Sequence, residues 1–200
     1  MPKKLLAVHK RSIRKRIKVK SYTLRNKFIG LIFLVLALVI LFLPQILPTP
    51  KINGNNPIKI SASFLGAKGT RNDPVRILIP SVGIDLKVID APIINGYWEL
   101  SDNTASYGLG SGLPGTKGNT VIFAHAREGL FYNLKDVKVN DTVYVFTKNN
   151  WFRYKVNKIT AVYPNQTEII SPTKNEVLTL YTCTGFYDEK RLIVRALPQS

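Results

Sequence analysis

The chain has 200 residues, with 29 Lys and Arg against 12 Asp and Glu, and a formal net charge of +17. This length fits one domain with an appendage and leaves little room for two full domains. A hydrophobic fraction of 45% excludes a wholly disordered chain. One cysteine excludes an intrachain disulfide and a multi-cysteine metal site, and two histidines leave little for a histidine site. We therefore expect no metal and no cofactor.

The positive charge is concentrated at the N-terminus. Residues 1–27 hold 11 of the 29 basic residues and no acidic residue. A nucleic-acid-binding arm is one interpretation, but this segment has a single aromatic residue, Tyr22, and directly precedes an apolar stretch. We interpret it as a cytoplasmic tail that sets membrane topology and contacts anionic lipid, with no nucleic-acid partner.

An uncharged apolar segment follows this tail. Residues 28–43 read FIGLIFLVLALVILFL, without the polar stripe of a soluble helix, and residues 44–47 extend the run. A bilayer-spanning helix needs about 20 residues, whereas the apolar region of a cleaved signal peptide has about 7–15 and precedes a small-residue cleavage site. The sequence predicts an uncleaved transmembrane signal-anchor helix at 28–47. The positive-inside rule then places the N-terminus in the cytoplasm and the rest of the chain outside the cell membrane.

The remaining chain divides into a linker and one β-rich domain. Residues 48–73 are rich in Pro, Gly, Asn and Ser and predict a linker, with order expected around Ile58–Leu65. Over residues 74–200 no helical periodicity exceeds about two turns, which predicts a closed or nearly closed β-barrel or a sandwich. Alternation and β-branched content predict strands at residues 75–79, 86–89, 120–124, 142–147, 151–156, 177–182 and 192–195.

The lone cysteine, Cys183, closes the predicted strand VLTLYT and opens the turn TGFYDEK. It is either a small buried hydrophobe or a reactive thiol. The end of a strand places its side chain at the rim of a barrel, where a substrate has access. A thiol nucleophile acts as the thiolate, a form that a nearby histidine and positive charge favour.

The predicted domain contains one histidine, His125, at the end of the apolar strand TVIFAHA. A satisfied structural histidine is the alternative interpretation. Because His125 and Cys183 both follow predicted strands, we hypothesise that they meet in space. His125 would then hold Cys183 as the thiolate or protonate a departing amine.

Acyl transfer by such a pair also requires a group that stabilises the developing oxyanion. Arg191 begins the strand after the Cys183 turn, and a short connection would bring it back beside Cys183. Arg195 lies four residues further on, on the same face of a regular strand, and Arg127 lies two residues beyond His125. We favour Arg191 and keep the other two arginines as weaker candidates.

These residues resemble the sortase family over most of residues 74–197. TLYTC at 179–183 and RLIVRA at 191–196 are similar to the TLxTC block of the family and the arginine strand that follows it. GNTVIFAHA at 118–126 resembles the strand that leads into the family's histidine, and residues 108–119 resemble the loop before it.

The resemblance implies an all-β, eight-stranded sortase-like barrel and a cysteine transpeptidase. It assigns Cys183 as nucleophile, His125 as acid and base, and Arg191 as the substrate-positioning and oxyanion group, and Thr182 is a candidate substrate contact. The implied substrates are surface proteins or pilins with a C-terminal LPxTG-like sorting signal. The implied acceptor is an amine, from a cell-wall peptide or a pilin lysine. The family often has Gly and Arg beside this histidine, where this chain has Ala124 and Ala126.

Two other classes of protein stay open. Another thiol acyl-transfer enzyme or a protease would use the same residues, although the surroundings of Cys183 lack the SHGC-type block of wall-crosslinking transpeptidases. A non-enzymatic, membrane-anchored β-domain would bury Cys183 as an inert thiol. Alkylation of the thiol and the Cys183→Ala variant separate these classes.

One further stretch resembles a sorting signal rather than the enzyme that cleaves it. Residues 113–117 read LPGTK. The stretch ends in Lys where a sorting motif has Gly, and it lies in the middle of the predicted domain. We interpret it as a turn.

Overall fold

A computed structural model of the chain describes residues 26–39, 58–60, 64 and 72–199. The chain divides into two compact units, residues 1–51 and residues 52–200. Residues 26–39 are helical. In the described ranges, no helix is both long enough and apolar enough to cross a bilayer. Residues 1–25 of the predicted tail and residues 40–47 of the predicted span lie outside the described ranges, so the anchor stays a prediction.

The described part of the second unit is mostly β-structure. Its strands are β1 (Arg76–Ile79), β2 (Ile84–Ala91), β3 (Ile93–Ile94), β4 (Tyr97–Trp98), β5 (Ala105–Gly108), β6 (Gly118–Phe123), β7 (Thr142–Phe146), β8 (Trp151–Val162), β9 (Glu176–Thr184) and β10 (Lys190–Pro198). Short 3-10 helices occupy Pro80–Val82, Phe131–Asp136, Thr167–Ile170 and Phe186–Asp188.

Eight of these strands close into a barrel, in the order β1-β2-β5-β6-β9-β10-β8-β7, and β3 and β4 form a separate two-stranded sheet. The predicted eight-stranded barrel is therefore confirmed. β6 and β9 pair in parallel, so both strands end at the same rim. β10 is antiparallel to β9 and therefore begins at that rim. This topology brings three chain segments together that are far apart in sequence.

The seven predicted strands are confirmed as β1, β2, β6, β7, β8, β9 and β10, but β5 was not predicted. β5 reads ASYG, and all four of its residues are buried. Without alternation between apolar and polar residues, it lacks the period-two signal of a half-buried strand. It pairs with β2 on one side and with β6 on the other. β8 also continues to Val162, six residues beyond its predicted end.

Apolar side chains pack on both faces of the barrel wall. Side chains alternate between the two faces along β6 and β9, so Ile122 and Leu180 point into the barrel while Phe123 and Tyr181 pack outside it. We call the outside group the outer cluster; it comprises Ile58, Ile60, Phe64, Ala91, Trp98, Val121, Phe123, Val162, Ile170, Tyr181 and Ile193.

Three members of the outer cluster precede the predicted domain. Ile58, Ile60 and Phe64 belong to the segment predicted as a linker, and all three are buried. Burying an apolar side chain of this size contributes about 1.5–3 kcal/mol. The order expected around Ile58–Leu65 is thus observed at the residues of that stretch that the structure describes. The predicted domain bounds at residues 28, 48 and 74 stay predictions.

Candidate active site

The ends of β6 and β9 and the start of β10 place the three predicted catalytic residues around one cavity. Arg191 is the cross-strand partner of Cys183 in the β9–β10 ladder. His125 lies two residues beyond Phe123, whose partner in the β6–β9 ladder is Tyr181, two residues before Cys183. His125, Cys183 and Arg191 all line a cavity of about 320 Å³, so the predicted convergence is observed.

Three aromatic rings form one part of the wall of this cavity. The rings of Phe123 and Tyr181 are stacked, with centroids 4.9 Å apart and an angle of 9° between their planes. Trp98 continues the stack at 5.9 Å from Phe123. Its indole N–H donates to the carbonyl of Leu109 at 3.0 Å. A Cβ atom added at Gly108 would lie 2.5 Å from the indole, so only glycine allows this approach.

Cys183 is half-buried against this wall. Burial raises the pKa of its thiol because it disfavours the charged thiolate, and the carboxylate of Asp188 adds to this effect. The positive charge of Arg191 acts in the opposite direction and lowers the pKa of Cys183. The net direction is upward, so the free site holds Cys183 mainly as the neutral thiol at neutral pH.

Arg191 is almost completely excluded from solvent, with 2% of its surface exposed. Its Nη1 donates to the carbonyl oxygens of Asp188 at 2.8 Å and Lys190 at 2.9 Å. These bonds support a turn in which Tyr187 and Asp188 have φ angles of 51° and 57°, values that are unusual for residues other than glycine. Strained backbone of this kind is concentrated at functional sites. The guanidinium is therefore held in place before any substrate arrives.

Thr182 connects two of the strands that form the site. Its hydroxyl donates to the carbonyl of Ala124, the residue before His125, at 2.8 Å. The Thr182 side chain is buried, and the residue lines the cavity. This bond fixes the end of β9 relative to the segment that carries His125. The predicted contact between Thr182 and substrate stays a prediction.

The two weaker arginine candidates lie elsewhere. Arg195 does not line the cavity, and its Nη2 donates to the carbonyl of Ile169 at 2.9 Å. Arg127 is exposed and also does not line the cavity. Arg191 is thus the arginine that the fold brings to Cys183.

One polar contact of the site was missed by sequence reasoning. The Oδ1 atom of Asp102 lies 3.5 Å from Nε2 of His125. Asp102 lies in the connection between β4 and β5, three residues before β5. Because β5 itself carried no strand signal, nothing in the local pattern placed this connection beside His125. Over the ranges that the structure describes, no group of three or more His, Cys, Asp or Glu side chains is arranged to hold a metal ion.

A sequence profile described as the Sortase domain matches residues 77–199 of this chain. The chain belongs to the sortase family. It is 28% identical to sortase A of Bacillus anthracis over 127 residues, covering 60% of this chain and 56% of that protein. It is 32% identical to sortase A of Streptococcus agalactiae over 132 residues, covering 60% and 50%. The chain thus spans about half the length of the curated relatives it matches.

Solved sortase structures share the fold. Sortase A from Corynebacterium diphtheriae superposes with a TM-score of 0.56 and 30% identity, over 66% of this chain and 63% of that chain. Sortase C from Streptococcus pneumoniae gives a TM-score of 0.58 and 25% identity, over 72% of this chain and 80% of that chain. The residues that carried the resemblance to sortases therefore occupy a sortase-like barrel.

Proposed function

We propose that this protein is a membrane-anchored cysteine transpeptidase that cleaves an LPxTG-like sorting signal and transfers the acyl group to an amine. The observation that carries the proposal is the meeting of Cys183, His125 and Arg191 around one apolar cavity, in a chain of the sortase family. Nucleophile, proton carrier and cation are the three groups that thiol-based acyl transfer requires.

In the first step the thiol of Cys183 attacks the carbonyl carbon of the scissile amide and passes its proton to His125. The carbon–sulfur bond forms while the carbonyl electron pair moves onto oxygen. Arg191 faces the cavity and stabilises this oxyanion. His125 then donates the proton to the amide nitrogen as the carbon–nitrogen bond breaks, which leaves an acyl thioester on Cys183.

In the second step an amine attacks the thioester carbon. His125 accepts the proton of the amine, the carbon–sulfur bond breaks, and the thiol of Cys183 is restored as a new amide bond forms. Attack by water in place of the amine would release a carboxylic acid, which is the outcome expected of a thiol protease. Both versions predict ping-pong kinetics, because the first product leaves before the acceptor enters.

The buried character of the site supports this order of events. Burial raises the pKa of Cys183, so the thiol stays neutral until the proton can pass to His125. Arg191 is held by backbone carbonyls and needs no rearrangement when negative charge develops on the substrate. A charge aimed at an apolar cavity acts more strongly than the same charge in water.

The proposed location follows from the N-terminal sequence. The basic residues 1–27 and the apolar residues 28–47 support a single-pass anchor with a cytoplasmic N-terminus and an extracytoplasmic catalytic domain. The proposed partners are surface proteins or pilins that carry a C-terminal sorting signal, together with a cell-wall peptide or a pilin lysine as acceptor. An enzyme and a substrate held in the same membrane meet at high effective concentration.

The decisive test of the reaction is mass spectrometry of the full-length chain in detergent, after incubation with LPxTG-like peptides. We expect an acyl adduct on Cys183 that a competing amine converts to ligated peptide. Cys183→Ala should form no adduct, and His125→Ala should form it much more slowly. An adduct resolved only by water would favour a protease. No adduct with any peptide would overturn the proposed reaction.

The proposed topology has an independent test. In a Cys183→Ala background, Trp151→Cys introduces the only thiol of the chain, at a position whose native side chain is 59% exposed. A membrane-impermeant maleimide added to intact cells should label this variant. Labelling that requires lysed cells would contradict the extracytoplasmic orientation.

A further inference from the structure

The connection between β4 and β5 brings a carboxylate to the imidazole of His125. Oδ1 of Asp102 and Nε2 of His125 are 3.5 Å apart, an ion-pair distance when the imidazole is protonated. The side chain of His125 is 35% exposed and that of Asp102 is 82% exposed. His125 lines the cavity and Asp102 does not, so the pair lies at the edge of the cavity, where solvent weakens the interaction.

Hydrogen bonds to Ser101 stabilise the backbone of the turn that contains Asp102. Oγ of Ser101 accepts hydrogen bonds from the N–H groups of Asn103 and Thr104, both at 3.3 Å. It also contacts the hydroxyl of Thr104 at 3.0 Å. Side-chain hydrogen bonds of this type stabilise tight turns. Asp102 lies within this turn, so its backbone position is fixed by these hydrogen bonds.

The same turn is attached to the barrel at the strand pair that leads to His125. The N–H of Ser101 donates to Oγ of Ser106 at 3.0 Å, and Ser106 is fully buried on β5. Ser106 is the ladder partner of Phe123, two residues before His125. The two members of the Asp102–His125 pair are thus positioned by one pair of adjacent strands.

Three ionisable side chains approach His125 from different elements of the fold. Cys183 reaches the cavity from β9 and Arg191 from β10, while Asp102 approaches from the β4–β5 connection. Arg191 already brings one positive charge to this cavity. In the proposed reaction a second positive charge appears each time His125 takes a proton, and Asp102 supplies an opposite charge at ion-pair distance.

We propose that Asp102 is a positioning residue that orients the imidazole of His125 and stabilises its protonated form during acyl transfer. The inference rests on the proposed function, because the imidazolium is formed in that reaction. The contact with Asp102 is made by Nε2, which leaves Nδ1 as the ring nitrogen to exchange protons with Cys183 and the leaving amine. The exposure of Asp102 limits the effect to about two- to fivefold in rate.

The test compares full-length wild type with Asp102→Asn in transpeptidation of an LPxTG-like peptide. We expect kcat to fall about two- to fivefold, with KM unchanged, because the carboxylate acts on His125 and not on bound peptide. High salt should bring the wild-type rate towards that of the variant.

Glu99→Gln is the matched control. It removes the same charge from the same connection, at an exposed position, and should leave kcat unchanged. Asp102→Glu keeps the charge and should restore part of the lost rate. An equal loss of kcat in Glu99→Gln, or a rise in KM alone in Asp102→Asn, would overturn the positioning role.

A second measurement separates this inference from the proposed function. The nitrogen NMR shifts of the His125 ring need no substrate and report which ring nitrogen carries the proton. Wild type should favour the tautomer with the proton on Nε2, and Asp102→Asn should weaken that preference. If wild type forms no acyl adduct but the tautomer preference changes in Asp102→Asn, the proposed reaction fails and the Asp102–His125 pair stands. If the adduct forms and the tautomer preference does not change, the pair is refuted and the reaction stands.

Discussion

At the start of β9, Glu176 accepts hydrogen bonds from the hydroxyl of Tyr154 at 2.6 Å and from the N–H of Gly115 at 2.7 Å. At the end of the same strand, Cys183 instead faces an apolar cavity, beside the cation of Arg191. The first end satisfies its polar groups internally, and burial of Tyr154 raises the pKa of its hydroxyl, which therefore stays protonated. We call the Glu176 end of the barrel the closed rim, because its polar groups bind one another. We call the Cys183 end the open rim, because a thiol and a cation face a cavity there.

The closed rim also explains the LPGTK stretch. The N–H and the hydroxyl of Thr116 both donate to the carbonyl of Leu113, at 3.1 and 2.8 Å, so residues 113–117 form the predicted turn. Gly115 has a φ of 77°, and an added Cβ would collide with the ring of Phe152. The turn lies at the opposite end of β9 from Cys183, roughly 20 Å away at about 3.3 Å per residue. It belongs to the structure of the barrel.

The largest expected effect is at the open rim. Arg191→Ala should lower kcat/KM by about 10²–10³-fold, because the oxyanion loses its cation. Arg195→Ala, on the same strand and outside the cavity, should keep most of the activity per folded molecule. Steady-state kinetics checks both, with thermal unfolding to correct for stability. Similar losses of kcat/KM in the two variants would contradict a specific role for Arg191.

The next effect is at the closed rim and should appear in stability alone. Tyr154→Phe removes a hydroxyl that binds Glu176 and should lower the free energy of unfolding by about 1–3 kcal/mol. We expect kcat to stay unchanged, because Tyr154 lies at the far end of the barrel. Tyr144→Phe, on the neighbouring strand β7, is the control and should change stability less. Chemical denaturation measures both, and a lower kcat in Tyr154→Phe would break the contrast between the two rims.

The smallest effect concerns the thiol itself. The rate at which iodoacetamide alkylates Cys183 should rise with pH around a midpoint above that of free cysteine, because burial raises the pKa of this thiol. Arg191→Met should move the midpoint further up, since the lost cation favours the thiolate. Alkylation followed by mass spectrometry gives both midpoints. A midpoint that stays the same or falls in Arg191→Met would show that Arg191 does not favour the thiolate of Cys183.

The sequence by itself determined most of the barrel and the three residues proposed for catalysis. Alternating and apolar runs marked seven of its strands, because a half-buried strand imposes a local period of two. Cys183, His125 and Arg191 were identifiable because each stands at the end or start of such a run. Both the strand positions and the placement of these residues at strand ends can be found from local sequence, without knowing which strands pair.

Only the tertiary structure decided which of these groups meet. β5 has no period because both of its faces are buried, so neither β5 nor the Asp102 turn before it was predicted. Arg191 and Arg195 lie on the same face of β10, so the strand pattern cannot distinguish them. The structure does, because Arg191 lines the cavity and Arg195 binds the carbonyl of Ile169. The packing of Phe64 against Trp98, with ring centroids 5.4 Å apart, likewise depends on chain closure over a distance that no local pattern encodes.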